Sequence, residues 1–445
     1  MSDAAIKWTE ITLNLAYLLT VWGLVAAMIR RRPGSTGDRP IGERDDAGSH
    51  CPGRCAMIPF NFRLFLRLTY LSWFQSRGTQ ARLTRKRVLF LLSFYAVFVP
   101  WQLVNGFFLL LDNILFPGFR RVQVKEPVFI VGPPRSGSTH LLRVLARDDE
   151  TFASAKLWEL LLAPSITQRK IVRALATLDR HLGGPARSWL FAWQERAFQE
   201  AGTYHKIRLQ EPDEDELSFL PIFSAIHLAF PFPFLEEFAR YIYFDQQAPL
   251  AERERFMGFY RRLIQRTLYL YGPTKRYLSK TPANSGRVGT LHDTFPDAKF
   301  IYTNRDPAAV LPSTLSLFSF QWGVFSDLLE PYPFREEMLE MTKHWYQYTI
   351  QRLEQMPADS HTMVMYEDLT SDLEQTITDI YATFDFDVSP AYAQALEEEV
   401  RKARRYTSTH HYSLKEMGLT RERIEAEYRD VYARYEFGKR DQRTD

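Results

Sequence analysis

Cysteine is nearly absent: Cys51 and Cys55 are the only two thiols in 445 residues. That scarcity excludes a disulfide framework and fits a reducing compartment. The pair forms a CxxxC with no second ligand pair, which leaves ordinary loop thiols or, less simply, half of a zinc site. An excess of charge of one sign is also missing. Lysine and arginine number 56 against 53 acidic residues, a formal net charge of +3. Nucleic acid is therefore not recruited by bulk charge, and any anion must be held locally. Repeats and low-complexity tracts are absent too. What the chain has is apolar material, 45% hydrophobic and 14% aromatic, enough to bury a large core.

Much of it is concentrated in two uncharged runs. Residues 11–29 (ITLNLAYLLTVWGLVAAMI) precede Arg30, Arg31 and Arg32. At 1.5 Å per residue, about 20 apolar residues span the ~30 Å of a bilayer core. The basic cluster follows the run, and no small-residue cleavage site comes after it, so a signal peptide fits poorly. The positive-inside rule keeps the arginines cytoplasmic. Residues 88–111 form the second run, interrupted by Pro100, Gln102 and Asn105. A full crossing there would carry the rest of the chain away from the arginines, so a hairpin or an interfacial helix is expected. The expected organisation is a membrane-anchor helix over 1–32, a Gly/Pro-rich linker over 33–53, a membrane-associated helical region over 54–120 and a catalytic domain over 121–445.

From about Pro127 short β-branched runs alternate with amphipathic stretches. Strands are predicted over 128–131, 277–280, 299–304 and 362–366, and helices over 138–147, 253–271, 335–354, 373–384 and 421–437. The fold class is α/β, a parallel sheet flanked by helices. The last helix aligns Ile424, Tyr428, Val431, Tyr432 and Tyr435 on one stripe, which reads as packing.

Residues 127–139 (PVFIVGPPRSGST) give a buried strand, a glycine-rich turn and a helix start. Such a turn aims backbone N–H groups and a helix dipole at an anion. The spacing of Gly132, Gly137, Ser138 and Thr139 is close to that of a nucleotide P-loop, G-x-x-x-x-G-K-[ST]. The loop lysine is missing: Ser138 stands there, and the cation is Arg135, inside the loop. That speaks against a P-loop kinase or NTPase, which needs the lysine on its β/γ-phosphates.

The PRSGST loop resembles the 5′-phosphosulfate loop of sulfotransferases that use 3′-phosphoadenosine 5′-phosphosulfate (PAPS). The resemblance requires a second anion site for the 3′-phosphate, and residues 299–313 (KFIYTNRDPAAVLPS) supply the matching Arg305 and Ser313. Taken singly, Arg305 reads equally as half of a salt bridge with Asp306, and Ser313 as an incidental helix residue. LWEL around Glu159, EPDEDE at 211–216, LSKTPAN at 278–284, YEDL at 366–369 and HHYSLKEMGL near the C-terminus resemble the bacterial branch of that family. The similarity extends over roughly residues 112–437. One departure is Asn284, where the branch often carries a histidine.

The resemblance implies sulfuryl transfer with PAPS as donor and no metal. Arg135 and the backbone of Ser136, Gly137, Ser138 and Thr139 then hold the 5′-phosphosulfate, and Arg305 and Ser313 hold the 3′-phosphate. Glu159 is the expected general base, with His140 as rival, and Lys280 steadies the bridging or sulfonyl oxygens. Asp213, Glu214, Asp215 and Glu216 form either an acceptor-positioning cluster or a solvated acidic run. The aromatic residues of 219–244 suit a lipophilic hydroxyl acceptor, with the catalytic domain on the cytoplasmic side of a membrane. A catalytically inactive, membrane-bound nucleotide-binding protein is the remaining alternative.

Overall fold

The structure, a computed structural model, describes residues 59–184, 209–403, 414–435 and 437. The 11–29 run, its arginines, the linker and both cysteines lie outside the described residues. Five strands, β1 (Val128–Val131), β2 (Phe152–Ala153), β3 (Arg276–Lys280), β4 (Lys299–Asn304) and β5 (His361–Met365), form one parallel sheet in the order β2-β3-β1-β4-β5. Two helices precede it, α1 (Phe62–Phe74) and α2 (Arg85–Leu115). After β1 come α3 (Ser138–Leu145), α4 (Leu157–Leu161), α5 (Ile166–His181) and α6 (Leu250–Tyr271). Next are α7 (Val288–Thr294), α8 (Pro307–Phe325) and α9 (Arg335–Leu353). The chain closes with α10 (Tyr366–Ser371), α11 (Leu373–Phe384), α12 (Pro390–Ala403), α13 (Arg421–Glu427) and α14 (Arg429–Tyr435).

The two-residue side-chain period of a strand explains the layering. Phe129 and Val131 of β1 enter one core, shared with Tyr260 and Leu263 of α6, Leu311 of α8 and Trp345 of α9. Val128 and Ile130 enter the other, under Leu141 and Leu145 of α3 and Ile377 and Ile380 of α11. Both faces are covered, so the strands read as continuous apolar runs. The expected strands match within a residue; β2 is too short to carry a periodic signal. The last predicted helix is broken between α13 and α14, and its stripe packs: Tyr428 is buried and donates to the Leu339 carbonyl at 2.6 Å.

The 88–111 run is neither a hairpin nor broken at Pro100, whose ring faces outward on a single continuous helix, α2. Its inner face, Leu91, Tyr95, Phe98 and Leu109, belongs to the same core as β1.

Candidate functional site

In open α/β sheets ligands bind beyond the carboxyl ends of the strands, near the point where the strand order reverses. Here the carboxyl ends of β1, β3 and β4 are neighbours, and each leads into one of the expected elements. The loop after β1 is tightly packed. Gly132 has φ +135°, and a Cβ there would lie 2.2 Å from the Thr303 carbonyl oxygen of β4, so only glycine fits. Its N–H donates to Ser285 Oγ at 2.9 Å. Ser136 is buried and donates to the Pro133 carbonyl at 2.7 Å, with Thr303 Oγ1 also 2.7 Å away. Gly137 caps α3 at φ +82°, and its missing Cβ leaves room for Tyr366 and Leu369. Ser138 and Thr139 are the first residues of α3, so their N–H groups have no partner within the helix. Arg135 adopts φ +63°, a conformation costly for a residue with a Cβ and common where a loop is shaped for a ligand.

Three expected donor residues come together. Arg135 Nε donates to Ser313 Oγ at 2.8 Å, and Arg305 Nη1 donates to the Arg135 carbonyl at 3.0 Å. The Arg305 guanidinium stacks over the Tyr366 ring at 3.8 Å, and Tyr346 donates to the Arg305 carbonyl at 2.5 Å. The Arg305–Asp306 salt bridge does not form. Asp306 instead caps α8 through the Ala308 N–H, pairs with Arg421 at 3.2 Å and accepts from Tyr432. Among the described residues no carboxylate pairs with Arg135 or Arg305, so two guanidiniums stand together with only neutral partners. Arg135 links the three, through its side chain to Ser313 and through its carbonyl to Arg305, and the arrangement is suited to an anion.

Lys280, at the end of β3, is 3% exposed and pairs with Glu214 at 2.5 Å. Glu214 is 24% exposed and also meets His227 Nε2 at 3.6 Å. The acidic run is not a solvated cluster. Asp215 is fully buried and accepts from Tyr260 at 2.6 Å and Tyr277 at 2.9 Å. Burial pushes its carboxyl up to about 6, against the pull of those hydrogen bonds. Glu216 forms a fully buried pair with Arg287 at 2.9 Å. Asp213 accepts the Glu214 N–H at 2.7 Å. The 3₁₀ geometry of Asp215–Ile222 turns successive side chains to different partners. Glu214 alone faces Lys280.

Glu159 lies on α4. That helix follows β2 and packs on the 3₁₀ turn Asp215–Ile222. The Glu159 side chain is 0% exposed. One oxygen accepts the Lys156 N–H at 3.1 Å. The other accepts from Tyr271 at 2.6 Å and faces Arg173 at 3.5 Å and Arg169 at 4.0 Å. No contact joins it to Arg135, Arg305, Ser313 or Lys280 among the described residues. His140 points to α12, where Glu399 raises its pKa less than burial lowers it. Asn284 is buried in the turn after β3. Sequence reasoning missed His227 and Tyr366. The first lay inside the aromatic stretch 219–244, where no carboxylate partner is announced, and the second inside YEDL, where nothing local announces a stack on Arg305.

Residues 127–390 match the sequence profile of the sulfotransferase family. The curated relatives include the omega-hydroxy-beta-dihydromenaquinone-9 sulfotransferases Stf3 of Mycobacterium bovis and Mycobacterium tuberculosis, each 26% identical over 243 residues, 50% of this chain and 54% of theirs. The chain thus spans about half the length of the curated relatives it matches. Among solved structures, sulfotransferase STF9 of Mycobacterium avium superposes with a TM-score of 0.64 at 17% identity, over 86% of this chain and 98% of its own. STF1 of Mycobacterium tuberculosis gives 0.56 at 19%, over 83% and 98%. These two share the fold. With the profile match covering more than half of the residues, the chain belongs to the sulfotransferase family.

Proposed function

We propose that this protein transfers the sulfuryl group of PAPS to a hydroxyl on a lipophilic acceptor. The observation that carries the reading is the Ser313–Arg135–Arg305 run of contacts, which gathers two guanidiniums and a hydroxyl with no carboxylate paired to either arginine among the described residues. PAPS is a donor with two separate anionic ends. Arg135 and the N–H groups of Ser136 to Thr139 hold the phosphosulfate, and Arg305 and Ser313 hold the 3′-phosphate. A P-loop kinase would need a cation at Ser138, and none stands there.

The transfer is in line. An acceptor oxygen attacks sulfur as the bond to the bridging oxygen breaks, and adenosine 3′,5′-bisphosphate leaves with the bonding electrons. Lys280 meets the charge growing on the bridging oxygen, and Arg135 steadies the sulfonyl oxygens. The acceptor's proton goes to Glu214, which is partly exposed and adjacent to Lys280; His227 orients that carboxylate. Glu159, fully enclosed, supports α4 instead. The transferring group carries one negative charge, so fixed N–H donors and cations replace a metal. A lipophilic acceptor is supported by the omega-hydroxy-beta-dihydromenaquinone-9 after which the relatives are named. Membrane attachment through residues 11–29, with the catalytic domain cytoplasmic, completes the reading.

The test is incubation of the purified chain with PAPS, EDTA and a bacterial lipid extract, followed by mass spectrometry. The expected result is a lipid that has gained one SO₃ together with release of the bisphosphate. A requirement for Mg²⁺ and ATP overturns the reading. Tight bisphosphate binding with no acceptor modified points to the inactive nucleotide-binding alternative.

A further inference from the structure

We propose that the outward face of α2, continued by α5, is a lipid-docking surface on which the enzyme lies with α2 parallel to the membrane plane. The inference adds a defined surface to the membrane part of the reading above and does not depend on the sulfuryl chemistry.

Helix α2 is long and apolar enough to cross a bilayer. Its inner face forbids that. Asp112 is buried against Arg266 at 2.9 Å and accepts the Ile166 and Thr167 N–H groups at 2.8 and 2.9 Å. Asn105 accepts from Gln168 at 2.7 Å, and Trp101 Nε1 donates to the Leu161 carbonyl at 2.8 Å. A crossing would strip these groups from the α/β domain and leave an aspartate and an asparagine in hydrocarbon.

The opposite face is bare. Leu89, Val97, Val104, Phe107 and Ile114 recur at helical spacing and are 60%, 69%, 50%, 61% and 76% exposed. They form a stripe roughly 37 Å long at 1.5 Å per residue. Between Arg87 and Asp112 no charged residue interrupts the helix. Helix α5, tied to α2 through Asn105 and Asp112, extends the surface with exposed Ile171, Leu175, Leu178 and Leu182. An exposed apolar stripe of this length marks an interaction site.

Charge identifies the occupant. Exposed Arg82, Arg85 and Lys86 stand at one end of the stripe, and Arg120 and Arg121 at the other. Lys170 and Arg180 lie exposed on α5. No acidic side chain is exposed on α2. An apolar stripe bordered by cations at both ends matches acyl chains beneath anionic headgroups.

The test uses the full chain with both native cysteines replaced by serine and single cysteines placed at Leu89, Val97, Val104 and Ile114, each carrying a nitroxide. The protein is reconstituted with vesicles of phosphatidylcholine and phosphatidylglycerol, and collisions with oxygen and with a water-soluble nickel chelate report depth. The four labels should lie at one shallow depth. On vesicles lacking phosphatidylglycerol they should shift toward water. A depth that rises to the middle of α2 and falls again shows a spanning helix and overturns the proposal. So does continued access to the nickel chelate on anionic vesicles. Labels shielded from both reagents before lipid is added would mean that residues 1–58 or a second copy cover the face. Identical depth on both vesicle types overturns the charge argument. Adenosine 3′,5′-bisphosphate binding, measured on the same labelled proteins, reports the fold and keeps this outcome separate from that of the donor-site reading. Phe107→Glu, in a background with only one label, should raise nickel access at least about tenfold.

Discussion

Removing the Arg305 guanidinium is the sharpest single test of the donor site. The side chain stacks on Tyr366 at 3.8 Å and braces the Arg135 carbonyl at 3.0 Å. No carboxylate competes for it among the described residues, so a bound 3′-phosphate would be its only anionic partner. Truncating one partner of a hydrogen-bonded charge pair costs about 2–5 kcal/mol. At 1.36 kcal/mol per tenfold, Arg305→Ala should weaken adenosine 3′,5′-bisphosphate by roughly 30-fold to several thousand-fold. Part of that loss would come from the loop, through the Arg135 carbonyl, and a second nucleotide separates the two contributions. Adenosine 5′-phosphate lacks the 3′-phosphate and should lose only the loop share, about 1 kcal/mol or a factor of ~5 for one neutral hydrogen bond. Calorimetry with both nucleotides and both proteins, in EDTA and at fixed salt, completes the cycle. Arg305→Lys should recover part of the loss, because a point charge keeps the Coulomb attraction but not the planar fork or the stack. An equal loss for the two nucleotides would mean that Arg305 only shapes the loop, and the 3′-phosphate assignment would fall.

Glu214→Gln should lower kcat by about 10²–10⁴ with bisphosphate affinity preserved, since the amide accepts no proton; near-normal turnover would remove Glu214 as the base. Glu159→Gln should instead cost about 3–5 kcal/mol of stability, because it leaves Arg169 buried beside a neutral group. A folded, thermally unchanged Glu159→Gln protein that has lost turnover would restore the base role to Glu159. Asp215, pushed up to about 6 by burial, is raised above the ~3.9 of an unfolded aspartate. Its contribution to stability is full below about 4 and is lost as pH rises through about 6, by at most ~3 kcal/mol. Melting curves of wild type and Asp215→Asn from pH 4 to 7 should therefore show the wild type losing ground as pH rises, and a constant difference would refute the assignment. Gly132→Ala puts a methyl group 2.2 Å from the Thr303 carbonyl at φ +135°, so it should abolish soluble expression or cost about 3 kcal/mol or more in chemical denaturation.

Short-range signals in the chain located the sheet and the two segments proposed to hold the donor. A strand, a turn and a helix start follow one another within a dozen residues, so the order of residue types around Gly132–Thr139 and around Arg305 was enough to place each proposed anion site on its element. Whether two such sites meet depends on which strands are neighbours. Only the order β2-β3-β1-β4-β5 sets β4 beside β1 and brings Arg305 onto the Arg135 carbonyl. The same order places β2 at the far edge. Burial was equally illegible. A run of four acids looks solvated in sequence, yet a 3₁₀ turn gives Asp215 to two tyrosines, Glu216 to Arg287 and Glu214 to Lys280. Composition alone made residues 88–111 a membrane candidate, because hydropathy sums over every side of a helix. The packed structure separates those sides, with Asp112 and Asn105 on the inner face and the apolar stripe on the outer. Local sequence specifies backbone shape and chemical type through neighbours along the chain. Proximity, burial and pairing arise from contacts distant in sequence, and they settle only when the chain has folded.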